Sequence, residues 1–325
     1  MLAFAAAPAD LRSWLIPQQW EKQRTGPVIG LGEAGEFDDM HIFAPCVGKE
    51  NGRYYMWYPG SRGKVSERLY RIGLAISDDA GTFNKRSGGP VFEFGDSRQS
   101  VLTPNVLRST DGTLIRENGK LRMWFTGLDL KGGGEHVLYE TRGAAPDRWE
   151  QPSPPLLRNC YAPTVLKEAA GYRMWYVDVA VRPWVIRHAQ SRNGSEWTIT
   201  KTPAITVESH VAGPEPLVHY PAVVKVDGVY LMWYSSRYWW PEEARSFKTA
   251  VNFAVSRDGL IWHKHPDNPV MHPDPSLRWE SYFNSSLCVV QLPDQSWRIW
   301  YGGRKEPPWD NMYFSIATAT WPGWK

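Results

Sequence analysis

Apolar residues in this chain fall in short runs divided by turn residues, and one run recurs. Met/Ile-Trp-Tyr/Phe appears at Met56-Trp57-Tyr58, Met123-Trp124-Phe125, Met174-Trp175-Tyr176, Met232-Trp233-Tyr234 and Ile299-Trp300-Tyr301, spaced by 67, 51, 58 and 67 residues. A turn signal precedes each copy: Asn51-Gly52, Asn118-Gly119, Gly171, Asp227-Gly228 and, in the last, Asp294. Such signals join antiparallel strands.

Other runs keep step with the triplet. Before each turn lies a first strand, at Pro45-Cys46-Val47, Pro104-Asn105-Val106, Pro163-Thr164-Val165, Pro221-Ala222-Val223 and Leu287-Cys288-Val289. A third strand follows the triplet, and a fourth is marked by Pro and two apolar residues at Pro90, Pro155, Pro203 and Pro269. The fifth copy of that fourth strand stands at the beginning of the chain, as Pro27-Val28-Ile29. The pattern predicts an all-β fold: a five-bladed β-propeller with four-stranded antiparallel blades, its ring closed by an N-terminal strand. Nothing linker-like interrupts it, so 1–325 reads as a single domain with 1–25 as an N-terminal extension.

Composition sharpens this. The 18 Trp, 15 Tyr and 11 Phe suit half-buried strands and, at an open face, the apolar side of a sugar ring. A net charge of +3 without a Lys/Arg block argues against a nucleic-acid partner, and no apolar run reaches membrane-spanning length. Cys46, Cys160 and Cys288 are odd in number and far apart, which speaks for buried thiols rather than a disulfide framework or zinc site. No spacing calls for a metal or another cofactor. Leu2-Ala3-Phe4-Ala5-Ala6-Ala7 is similar to the tail of a signal peptide without its charged leader, which leaves export open for a soluble chain. The oligomeric state is not legible.

Ser77-Asp78-Asp79-Ala80-Gly81-Thr82-Phe83, Ser191-Arg192-Asn193-Gly194-Ser195-Glu196-Trp197 and Ser256-Arg257-Asp258-Gly259-Leu260-Ile261-Trp262 resemble the Asp-box turn of sialidases. The repeated strands resemble the arabinanase, xylosidase and fructosidase group of propeller glycoside hydrolases, from about Pro27 to Thr318. That resemblance implies a glycosidase using paired carboxylates. Its expected acid positions hold Ala44, Ala162 and His219 here, so the acids must lie elsewhere or the chemistry must differ.

Antiparallel alternation brings the residues before the first strand, after the second and before the third to one face. Asp39 and Glu280, counted back from Pro45 and Ser286, form a candidate acid–base pair at this mouth. Asp178 and His219 are further catalytic candidates. Arg62, Arg237 and Arg304 follow second strands in contiguous repeats and suit an anionic group. His41, Tyr161, Arg187, Tyr220 and Asn284 complete the expected binding residues. The expectation is a glycoside hydrolase or transglycosidase on an acidic or anion-bearing sugar, its ligand a small molecule or oligosaccharide. The alternatives are a carbohydrate-binding propeller without catalysis, or a sugar lyase or isomerase using His and Tyr.

Overall fold

The structure is a computed structural model that describes residues 7–63, 69–96, 98–129, 134–207, 217–239, 247–305 and 315–324. Among these residues the protein is all-β apart from the short helix Ala9–Arg12, and each sequence repeat forms an antiparallel ladder. In repeat I, Cys46–Glu50 pairs with Arg53–Ser61, then Arg71–Ser77, then Asn84–Lys85. Repeat II runs Gln99–Val106, Leu121–Asp129 and Val137–Ala145, with Arg148–Trp149 and Leu157–Arg158 outside. Repeat III runs Cys160–Glu168, Gly171–Asp178, Val185–Ser191 and Thr198–Ile199. Repeat IV runs Val218–Val226, Val229–Trp239, Phe247–Ser256 and His263–Lys264. Repeat V runs Phe283–Gln291, Trp297–Arg304 and Ser315–Trp321. The expected third strand of repeat V began at Tyr313, which lies outside the described residues. The Asn51-Gly52, Asn118-Gly119 and Asp227-Gly228 turns all have positive φ at both residues, the hairpin geometry that their composition favours.

The outer edge of repeat V comes from the N-terminal part of the chain. Glu21–Lys22 pairs with Thr320 and Ala319, and Ile29–Gly30 with Ile316 and Ser315. Val28 N–H donates to Ile316 O at 2.8 Å, so Pro27-Val28-Ile29 pairs where the repeat pattern put it. The stretch before it does more than extend the chain. Leu11 is fully buried, and Trp14, Leu15, Ile16 and Trp20 pack on the core of repeats IV and V.

The tryptophan of each triplet is buried and ties one repeat to another. Trp57 Nε1 donates to Pro146 O, Trp124 to Gly194 O and Trp175 to Gly259 O, all within 2.9 Å, and Trp300 donates to Ala80 O at 3.2 Å. Each acceptor lies in the turn after the third strand of the following repeat, repeat V reaching repeat I. Trp233 of repeat IV donates instead to Gln18 Oε1 at 2.9 Å, so the N-terminal segment supplies that turn for repeat V. A buried indole N–H without an acceptor is costly, which explains why each Trp meets one.

Every first strand carries a residue with left-handed φ: Ala44, Thr103, Ala162, Tyr220 and Ser286. In repeats II to V the pairing register shifts there. Two residues after the bulge, small side chains link neighbours. Cys46 Sγ accepts from Val106 N–H at 3.2 Å, Asn105 Oδ1 from Val165 N–H at 3.0 Å and Cys288 Sγ from Val47 N–H at 3.1 Å. These strands line a narrow cavity of about 40 Å³ that Arg108 also borders, its Nε donating to Val47 O at 2.7 Å. The three cysteines are buried free thiols, and burial pushes that of Cys46 up to about 12.

Candidate functional site

The site is built from equivalent positions. Counted from each triplet Trp, side chains two and four residues on share one side of the strand. Two on stand Pro59, Thr126, Val177, Ser235 and Gly302; four on stand Ser61, Leu128, Val179, Arg237 and Arg304. The residues just before the bulge are Phe43, Leu102, Tyr161, His219 and Ser285. Phe43, Leu102, Leu128, Tyr161, Val177, Tyr220 and Phe283 form one buried cluster, with Trp184 and Tyr282 packed against it. The ends of all five first strands therefore meet around one aromatic cluster, where the sequence pattern expects the mouth.

Tyr220 stands out in this row. Its equivalents are Ala, Thr, Ala and Ser, and it keeps φ 51, a conformation that costs a bulky residue about 1–3 kcal/mol. Its hydroxyl lies 2.5 Å from that of Tyr161, with the rings 5.4 Å apart. His219 meets the Tyr220 ring at 4.8 Å, and His136 meets Tyr161 at 4.8 Å. Burial, with the Arg237 charge adding to it, lowers His219 to about 3; burial and Arg182 lower His136 to about 4. Both imidazoles are neutral at pH 7. His41 stacks on Phe43 at 5.2 Å and shares a hydrogen bond with the Tyr70 hydroxyl.

The expected carboxylates are placed differently. Glu280 has no exposed side-chain surface and accepts hydrogen bonds from Lys22 Nζ and the Tyr301 hydroxyl. Burial raises its pKa, with Lys22 opposing. Its counterpart in repeat I is Asp38, which accepts from Tyr58 Oη at 2.9 Å and Lys85 Nζ at 2.7 Å. Tyr58 and Tyr301 both follow the triplet Trp, and Lys22 and Lys85 both lie on outer strands. Glycine serves each acid: a Cβ at Gly60 would lie 2.4 Å from Asp38 Cβ, and one at Gly303 3.2 Å from Glu280 Cβ. The expected equivalence of Asp39 with Glu280 is thus corrected to Asp38, because Leu287 rather than Ser286 follows the bulge and aligns with Pro45. Asp39 Oδ2 accepts from Gly35 N–H at 2.8 Å.

Asp178 and Arg187, expected separately as catalyst and binder, pair with each other at 2.7 Å, and Asp178 also accepts from Ala180 N–H at 3.0 Å. Arg304 is buried, its guanidinium 5.3 Å from the Phe283 ring centre, and Arg237 occupies the same row. Arg62 does not: it sits one residue past Ser61, is exposed, and its Nη1 donates to Gly35 O at 3.4 Å. The shared place of three arginines is thus reduced to two, since a one-residue slip turns a strand side chain to the other face. Asn284 donates from Nδ2 to His272 O at 2.8 Å, between repeats IV and V. Sequence reasoning missed Phe43, Tyr70, Trp184 and Phe283, which lie off the second strands, where counting in twos from the triplet Trp does not reach. Among the described residues no group of three or more His, Cys, Asp or Glu could hold a metal ion, and no helix is long and apolar enough to cross a membrane.

No protein-family model matches the chain. It is similar to two uncharacterized proteins of Mycobacterium tuberculosis, MT1551 of strain CDC 1551 / Oshkosh and Rv1502 of strain ATCC 25618 / H37Rv. Each is 26% identical over 263 residues, 74% of this chain and 81% of the relative. Among solved structures, a protein described as a glycoside hydrolase superposes with a TM-score of 0.73 at 16% identity, over 98% of this chain and 95% of that one. A structure reported with the finding that the GH130 family of mannoside phosphorylases contains hydrolases of β-1,2-mannosidic linkages in Candida mannan gives 0.71 at 14%, over 94% of each chain. A glycosyl hydrolase from Bacteroides ovatus gives the same values. At these identities the likeness shows the fold.

Proposed function

We propose that the chain is a carbohydrate-active enzyme, a glycoside hydrolase or transglycosidase that takes an acidic or anion-bearing sugar at the mouth. We further propose that it is a single-domain, five-bladed propeller closed by its N-terminal segment. The tryptophan links that run from each repeat to the next, and from repeat V to repeat I, support the ring. The glycoside hydrolases that share the fold support the reaction class by analogy alone. The observation that carries the ligand class is the mouth itself, where rings able to stack on a sugar stand beside the buried guanidinium of Arg304.

A second reading has its own support. Asp38, Asp178 and Glu280 are all held by protein cations, whereas the Tyr161 and Tyr220 hydroxyls meet beside two neutral histidines. That suits elimination: a base takes the proton next to a sugar carboxylate, the C–O bond β to it breaks, and the leaving oxygen takes a proton. Incubation with uronic-acid oligosaccharides separates the two. Hydrolysis gives saturated reducing ends; elimination gives an ultraviolet-absorbing unsaturated sugar. Arg304→Met should weaken an acidic sugar at least tenfold more than its neutral alcohol analogue. Equal weakening of both refutes an anionic substrate.

A further inference from the structure

The mouth has two unlike halves. Repeats II and III present Leu102, Leu128, Tyr161, Val177 and Trp184, all in or against the apolar cluster. The equivalent rows in repeats IV, V and I carry Phe43 and the two arginines but also His219, Ser235, Ser285 and Ser61. These last four are buried, with relative exposures of 4%, 0%, 0% and 0%. Yet His219 Nδ1 and the three serine hydroxyls have no hydrogen-bond partner among the described residues.

Register brings His219, Ser235 and Ser285 together, whereas Ser61 pairs with His41 in the row of the arginines. His219 and Ser235 are direct partners across the first and second strands of repeat IV. Ser235 is the equivalent of Thr126, whose hydroxyl donates to Cys160 O and accepts from Ala162 N–H at the next bulge. Ser235 therefore stands behind the bulge at Ser285 and Ser286, which in turn reaches repeat I through the Ala44 N–H to Ser286 Oγ bond. Thr126 makes the bonds its position offers; Ser235 makes none.

A buried hydroxyl left unsatisfied destabilises the fold, so several in one sector of a mouth call for a cause. We propose that His219, Ser235 and Ser285 form a subsite that binds the hydroxyl-bearing edge of a sugar ring while the opposite half covers its apolar face. The inference rests on the reading of the mouth as a sugar site and deepens it. The chemistry is selective. Serine hydroxyls both donate and accept, and a neutral imidazole nitrogen does one or the other, so the subsite fits neutral hydroxyl groups. Recognition of a charged group falls to the arginine row.

The test is Ser235→Ala with Ser285→Ala, measured in two ways. In the ligand-free protein, removing two unsatisfied hydroxyls should raise Tm by roughly 1–4 °C for each. In calorimetric titrations with methyl glucuronoside and methyl mannoside, the double variant should bind about tenfold or more weaker. Analogues lacking one ring hydroxyl should lose less in the variant than in the wild type. A fall in Tm means that the hydroxyls serve the fold, through bound water or each other, and overturns the subsite. Unchanged affinity for a glycoside that the wild type binds overturns it equally. If Tm rises and the wild type binds neither probe, the hydroxyls are idle in the fold, but the sugar reading of the mouth fails and the subsite falls with it.

Discussion

Removing the ammonium of Lys22 should show what holds the N-terminal segment in place. Lys22 pairs with Glu280, whose side chain is wholly buried, and the Lys22 side chain is itself only 10% exposed. Lys22→Met keeps the aliphatic stem and leaves a buried carboxylate without its cation. Breaking a buried pair in this way costs about 3–5 kcal/mol. For 325 residues, at about 2.1 cal/mol/K of unfolding entropy per residue, this predicts a loss of about 4–7 °C in Tm. The loss should depend on pH with a definite sign. Burial already raises the Glu280 pKa, and removing Lys22 removes the charge that opposes the rise. The variant's carboxyl is then protonated more readily when folded than when unfolded. Its penalty should be small near pH 4.5 and full once pH passes the raised value. Adding Glu280→Gln should restore most of the stability, because an amide needs no counter-charge and its oxygen still accepts from Tyr301. Calorimetric melts at pH 5 and pH 8 check this. A penalty equal at both pH values, or below about 1 °C, would refute the clamp.

Gln18→Leu should lower Tm by about 1–4 °C by taking the shared acceptor from Trp20 and Trp233; wild-type melting of the Leu variant refutes the role. His219 is depressed in the folded protein, so the stability it supports is present above its unfolded pKa of 6.5 and falls as pH drops toward about 3. Urea melts of His219→Leu between pH 7 and 4 should accordingly show a shallower loss than wild type; parallel curves would mean that His219 titrates normally. Tyr220→Asn keeps a residue that tolerates left-handed φ while removing the ring, so the chain should fold and lose its sugar affinity. Retained affinity would exclude the Tyr161–Tyr220 pair from the site.

The strands were legible because their cause is local. Alternating apolar positions, a buried Trp in each second strand and Asn-Gly or Asp-Gly turns dictate hairpins wherever they occur. The displaced Pro27-Val28-Ile29 was readable as a missing copy for the same reason. The role of residues 8–20 was not, since only folding brings Gln18 to Trp233, 215 residues away. The site was less legible still. A strand side chain's direction reverses with every residue, so the bulges at Ala44 and Ser286 decided which acid matches Glu280, and one position separated Arg62 from the arginine row. Residue types told which groups could carry charge. Whether Asp178 and Glu280 spend that charge on a ligand or on Arg187 and Lys22 was decided by tertiary packing, because a buried carboxylate takes the nearest cation that the fold supplies.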